Sequence, residues 1–130
     1  MALYQTALER ILPPGVGVYA ALLIRAPDAL GTAEVEASYA GYARQLHSAW
    51  ATHSDLDGWY LSNTGSIVFP AVTGSAVTIN YWGIYLAAVG GTLFASGPVL
   101  NGGGVAYPQL LDVGDQARFL DDALRIRGGI

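Results

Sequence analysis

A mainly β fold, a compact antiparallel β-sandwich or small barrel with one short N-terminal helix, is predicted by three features of this sequence. Seventeen glycines are spread between short runs rather than gathered in one tract, as expected of many brief strands joined by tight turns. The run Val77-Thr78-Ile79-Asn80-Tyr81-Trp82-Gly83-Ile84-Tyr85-Leu86 is dominated by the β-branched and aromatic residues that suit a pleated surface. The chain has 130 residues, 52% of them hydrophobic and 12% charged, enough for one continuous core. Residues 1–130 are therefore expected to form a single domain, with a helix within 1–14 and a β domain over 18–127.

The elements follow in order. Leu3, Tyr4, Ala7, Leu8, Ile11 and Leu12 share one helical stripe, with Gln5, Thr6, Glu9 and Arg10 off it. Pro13-Pro14 ends that helix, because a diproline removes two ladder donors, and Gly15 and Gly17 free the chain to turn. Val18 to Arg25 is an apolar run too short for a second helix and is closed by Ala26-Pro27-Asp28, which reads as a core strand and turn. Residues 28–38 show no period and read as a surface loop. Tyr39 to Ala51 is open at this level: its alanines permit a helix, whereas Tyr39, Tyr42 and Trp50 suit a strand.

Asp55, Asp57 and Gly58 make a turn, and Gly58-Trp59-Tyr60-Leu61 is expected to lead through a Ser62-Asn63-Thr64-Gly65 turn into a strand at 66–69, forming a hairpin. Val77 to Leu86 pairs with Thr92 to Ser96 across a two-residue Gly90-Gly91 turn. Gly97-Pro98 and Asn101 to Gly104 break the chain, and Pro108 restricts any strand around it to an edge. Ala117 to Ile126 fits a strand pair or a short helix. No internal repeat or linker is evident.

Composition excludes several functions. Net charge is −4, and the six basic residues are all Arg, so no basic stripe is available for a phosphate backbone and nucleic acid is not expected as a ligand. The absence of cysteine removes disulfides, zinc–thiolate sites and Cys nucleophiles. The longest apolar run, Val16 to Ile24, falls short of the roughly 20 residues of a membrane-crossing helix, and no membrane association is expected. Glu9 and Arg10 interrupt the N-terminus before a signal-peptide core forms, so the chain is expected to be used as synthesised.

Few residues suggest chemistry. His47, His53, Asp55 and Asp57 form the one group with metal-ligand character. Asp-x-Asp-Gly lacks the spaced oxygen ligands of a calcium loop, and a solvated turn accounts for it equally well; no metal or cofactor is assigned. Thr73-Gly74-Ser75-Ala76-Val77 lacks the second glycine of a nucleophile elbow, and Asn101-Gly102-Gly103-Gly104 lacks the lysine of a phosphate loop. Asp121-Asp122 near Arg125 and Arg127 reads as a solvated terminal segment or a pairing between subunits. The aromatic residues say more. In Tyr81-Trp82-Gly83-Ile84-Tyr85 neighbouring side chains face opposite ways, so both strand faces are bulky and each needs a cover. The cover is either the N-terminal helix or another subunit. Tyr42, Trp50, Trp59, Tyr60, Trp82, Tyr85 and Tyr107 are the candidate interface residues.

A collinear set of phrases resembles a family of small structural proteins of tailed bacteriophages, commonly labelled tail fibre proteins, some of them placed on the head. The phrases are Leu3 to Leu12, Val18-Tyr19-Ala20-Ala21-Leu22 through Pro27, Gly41-Tyr42-Ala43-Arg44-Gln45, Ser62-Asn63-Thr64 with Ile67-Val68-Phe69-Pro70, Trp82-Gly83-Ile84-Tyr85, Gly90-Gly91-Thr92-Leu93 and Gly114-Asp115. The sequence departs from the family pattern in a longer, more aromatic Leu46 to Leu61, in an apparent insertion at Asn101 to Gln109, and in the ending Arg125 to Ile130. The resemblance implies a β-rich, noncatalytic virion component, made in the host cytoplasm, and it selects the strand for Tyr39 to Ala51.

Within that implication a capsid decoration, or cement, protein is favoured over a tail-fibre or tail-tip protein, because one compact domain offers no obvious shaft. Its partners would be major capsid or tail proteins and further copies of itself, with a trimer expected from closed symmetry. The other readings are a receptor- or carbohydrate-binding module using Trp50, Trp59 or Trp82, and an enzyme using His47, His53 and Asp55.

Overall fold

The computed structural model describes residues 17–28, 33–91, 93–100 and 107–127. The expected helix within 1–14 and the Asn101 to Gly104 segment lie outside the described residues. Twelve strands are present among those described: β1 (Val18–Arg25), β2 (Val35–Glu36), β3 (Gln45–His47), β4 (Trp50–Asp55), β5 (Gly58–Asn63), β6 (Ile67–Val68), β7 (Val77–Ile79), β8 (Tyr81–Tyr85), β9 (Leu93–Pro98), β10 (Gln109–Leu111), β11 (Arg118–Phe119) and β12 (Arg125–Arg127). Every pairing is antiparallel.

The strands form four open sheets rather than a closed barrel, which corrects the barrel alternative. In the largest, β1 is central: β8 and then β9 lie along one edge, while β3 and β2 share the other. β12, β5 and β4 form a second sheet, and β10 with β7 and β11 with β6 make two-stranded ones. Strands of two or three residues offer too short a ladder to carry pairing around a barrel.

β1 has the predicted bounds, and its apolar run is buried on both faces. Val18, Ala20 and Leu22 enter a core shared with Trp50, Leu61, Ile67, Phe69, Ile79, Trp82, Ile84, Leu124 and Ile126, drawn from all four sheets. Ala21 and Leu23 are fully buried on the opposite face. Within that core Gly97 of β9 lies against Trp82, where an added Cβ would sit 2.6 Å from the indole. Only glycine lets the two strands approach this closely.

Several local expectations are corrected. Residues 28–38 contain β2, which pairs with the second half of β1. Tyr39 to Ala51 is not one strand: a turn closed by the Tyr42 N–H to Tyr39 carbonyl bond (2.9 Å) precedes β3, and β4 belongs to another sheet. The Asp55–Gly58 turn is present, but it joins β4 to β5. β5 then pairs with β12, and β6 with β11, so the expected 58–69 hairpin does not form. The run Val77 to Leu86 is divided at Asn80. Its N–H donates to the Leu23 carbonyl (3.0 Å), its carbonyl accepts the Val99 N–H (3.0 Å) and its side-chain amide donates to the Ile24 carbonyl (2.6 Å). Those bonds hold β7 and β8 in different sheets. The β8–β9 hairpin forms as expected, with Tyr85 opposite Leu93, so a longer connection replaces the two-residue turn. Pro98 is tolerated because β9 is an edge strand. In the Ala117 to Ile126 stretch two strands form, each pairing elsewhere rather than with the other.

Candidate functional site

The four residues with metal-ligand character do not converge. The His47 ring packs edge-on against Trp50 (5.6 Å between centroids), with Nε2 3.0 Å from the Ala49 and Thr64 carbonyls. The His53 ring stacks on Tyr60 at 5.5 Å. Asp55 Oδ1 accepts the Asp57 N–H at 2.9 Å, the local bond by which aspartate closes a turn. Among the described residues no three His, Asp or Glu side chains are placed to share an ion.

The seven aromatic candidates are divided between interior and surface. Trp50, Tyr60, Trp82 and Tyr85 are buried. The Trp50 indole N–H donates to the His47 carbonyl (2.9 Å), and the Arg125 guanidinium lies 4.7 Å over the Tyr60 ring. Trp59 and Tyr42 are half-buried against the core, and Tyr107 is 58% exposed. Trp50 is 4% exposed, so its indole offers no stacking platform to a sugar, whereas Trp82, also buried, borders a cleft.

A polar cluster that sequence reasoning did not single out covers the far face of β1 and β8. Arg44 Nε and Nη2 donate to the two oxygens of Glu36 (3.0 Å each), and Nη1 donates to the Ala87 and Gly90 carbonyls (2.8 and 2.7 Å). The guanidinium carbon sits 3.6 Å over the Tyr85 ring, whose hydroxyl donates to Glu34 (2.9 Å). Tyr42 completes the cluster. Its hydroxyl donates to Glu36 and accepts the Leu22 N–H (3.1 Å). β3 ends at Ala20 and β2 starts opposite Leu23, so the hydroxyl supplies the ladder partner that neither strand gives Leu22. Burial, then the bond to Glu36, pushes the Tyr42 hydroxyl far above its usual range; burial, then the bond to Glu34, raises Tyr85. Both phenols stay protonated and donate. The available sequence signal was a single cation, Arg44, inside a stretch otherwise read as strand.

Arg44 thereby pins the first part of the β8–β9 connection. Residues 86–91 read Leu-Ala-Ala-Val-Gly-Gly, without one polar side chain, although loops are ordinarily polar. Leu86 is 63% and Val89 87% exposed. Gly90 and Gly91 take positive φ (66° and 77°), a conformation that costs glycine little.

At the other end of the same hairpin lies a cleft of about 1360 Å³ between β9, β10, β11 and the segment entering β12. Buried Trp82, Val99 and Leu124 and exposed Leu100, Tyr107 and Leu120 line it. Arg118 and the Asp122–Arg125 ion pair (2.7 Å) add polar groups, and Asp122 Oδ1 is buried without a hydrogen-bond partner among the described residues.

Among the described residues the prominent surface features of this antiparallel β-rich fold are an apolar loop and a mostly apolar cleft, surface of the kind that marks contact sites. The chain belongs to a phage fibre family: the family described as podophage GP4 fiber I protein gp80 (Gp80) matches residues 4–127. It is therefore a structural protein of the virion, as the resemblance implied. No curated protein matches the chain.

Proposed function

We propose that this chain is a noncatalytic, single-domain subunit of a podophage tail fibre, joined to other virion proteins and to copies of itself through apolar surface. The family match along residues 4–127 carries this reading. That family's description speaks of a fibre, which supports the tail reading over the capsid surface favoured from the sequence. The apolar loop 86–91 and the cleft supply contact surface of the kind such a role needs.

Quantitative mass spectrometry of purified particles, with the major capsid protein as internal standard, tests the placement. A handful of copies per particle is the expected result. Copies comparable in number to the capsid protein would return the chain to the head as a cement protein, and absence from the particle would overturn both placements.

A further inference from the structure

We infer that the N-terminal segment, residues 1–16, lies across one end of the sheet centred on β1 and covers Leu46 and Leu86 of its own chain, with its apolar stripe facing them. The inference goes beyond the fibre reading and does not depend on where in the virion the chain sits.

Three strand ends meet where that segment joins the described residues. β1 starts at Val18, opposite His47 of β3, and Tyr19 lies between Leu46 of β3 and Tyr85 of β8. Leu46 is 62% exposed, and Leu86, next after Tyr85, is 63% exposed. Gly17 lies against Leu46, since a Cβ added there would sit 2.7 Å from Leu46 Cδ1. The segment therefore leaves the sheet already beside one of the two leucines. A single exposed leucine is ordinary, but two at one end of a sheet, next to the apolar loop 86–91, make a patch.

The other stretches outside the described residues are tethered elsewhere. Residues 29–32 follow the opposite end of β1, residues 101–106 come after the Pro98 end of β9, and residues 128–130 continue β12 of another sheet. Apart from position 92 within the β8–β9 connection, only residues 1–16 are joined at this end.

Length and pattern match the patch. At the usual spacing of paired strands β3, β1 and β8 span about 10 Å. A helix over the ten residues of the stripe would be about 15 Å long, enough to cross all three. Leu3, Leu8 and Leu12 lie on the stripe, and Gln5, Thr6, Glu9 and Arg10 would turn to water. The five-residue step from Leu12 to Gly17 reaches roughly 16–18 Å at most, so the stripe has to settle close to the start of β1. The family match over residues 4–127 takes in this segment together with the strands. Seated there, the segment covers the strand ends and leaves Val89, in the middle of the loop, and the cleft at the far end of the hairpin as contact surface.

The test uses the full chain, whose lack of cysteine lets an introduced pair report one contact. Leu46→Cys is combined either with Leu8→Cys on the stripe or with Thr6→Cys off it, and circular dichroism checks that each double variant keeps its fold. A short bis-maleimide is added at high protein dilution, and the products are measured by denaturing gel and peptide mass spectrometry. Position 8 should give an intrachain link in several-fold higher yield than position 6. Leu86→Cys in place of Leu46→Cys should give the same preference.

Equal yields at the two positions would mean a segment that reaches the patch without seating on it. A product joining two chains would assign the cover to a neighbouring copy, and no link at either position would put the segment elsewhere. Each of these results would overturn the inference.

Discussion

The sheet centred on β1 is covered differently on its two faces. On one, Val18, Ala20, Leu22, Trp82 and Ile84 meet other hydrocarbon in the shared core. On the other, Ala21 and Leu23 are equally buried, but Tyr85 lies beneath the Arg44–Glu36 pair, with Tyr42 and Glu34 alongside. The first cover depends on volume, spread over many side chains. The second depends on the direction of a few hydrogen bonds and so on the exact identity of a few residues. Similar burial therefore brings different tolerance of substitution.

The largest effect should come from emptying the hydrocarbon side. Phe69, 1% exposed, packs between Tyr42 and Phe119, and Phe69→Ala should cost about 4 kcal/mol, read from urea unfolding.

Next comes a test by conservative exchange on each face. Leu22→Ile keeps the volume and should cost less than about 1.5 kcal/mol. Arg44→Lys keeps the charge but loses the planar fork that reaches Glu36 and two carbonyls at once, and should cost about 2 kcal/mol or more, because a partly buried acceptor is left short of donors. Equal costs for the two exchanges would erase the distinction between the faces.

A smaller effect, about 1 kcal/mol, is expected from Tyr42→Phe, with faster hydrogen exchange at the Leu22 amide. Its pH dependence sharpens the point. Tyr42 and Tyr85 hold their protons well above the ordinary value of 10 in the fold, whereas the unfolded chain releases them near that value. The unfolded state then binds fewer protons, so this contribution to stability is complete below pH 10 and is lost as pH rises beyond it. The urea midpoint of the wild type should fall between pH 9 and pH 11, and that of Tyr42→Phe should fall less steeply. Smallest of all, Leu56→Ser at the tip of the β4–β5 hairpin, where Leu56 is fully exposed, should stay within about 0.5 kcal/mol of wild type.

The hydrocarbon face was the legible one. β1 could be bounded because an eight-residue apolar run between breakers has few alternatives, and the β8–β9 hairpin because its glycines mark a reversal between two apolar runs. What stayed hidden depends on partners distant in sequence. Ser62-Asn63-Thr64-Gly65 has the composition of a turn, yet Asn63 is buried: its amide donates to the Gly65 and Leu120 carbonyls, and its oxygen accepts the Leu124 N–H. No local pattern announces that use of an asparagine. The same holds for Arg44 and Glu36, eight residues apart on separate segments, and for the cleft, whose lining is drawn from strands between Leu22 and Arg125. The aromatic residues were noticed and left open between core and interface, since spacing alone does not distinguish a ring that fills a gap between sheets from one that meets another molecule.

The central position of β1 also governs when the protein can finish folding. Its partner β8 begins at Tyr81, 56 residues beyond Arg25, and β5 pairs with β12 only at the end of the described chain. At roughly 5–20 residues added per second, the ribosome needs a few seconds to deliver β8 after completing β1. During that interval the most apolar strand of the protein can pair only with the short β2 and β3 along one edge and lacks its five-residue partner on the other, while β4 and β5 can already close on each other. Expression at a lower temperature, or with a chaperone that shelters exposed strands, should therefore raise the soluble yield more than any change at the surface.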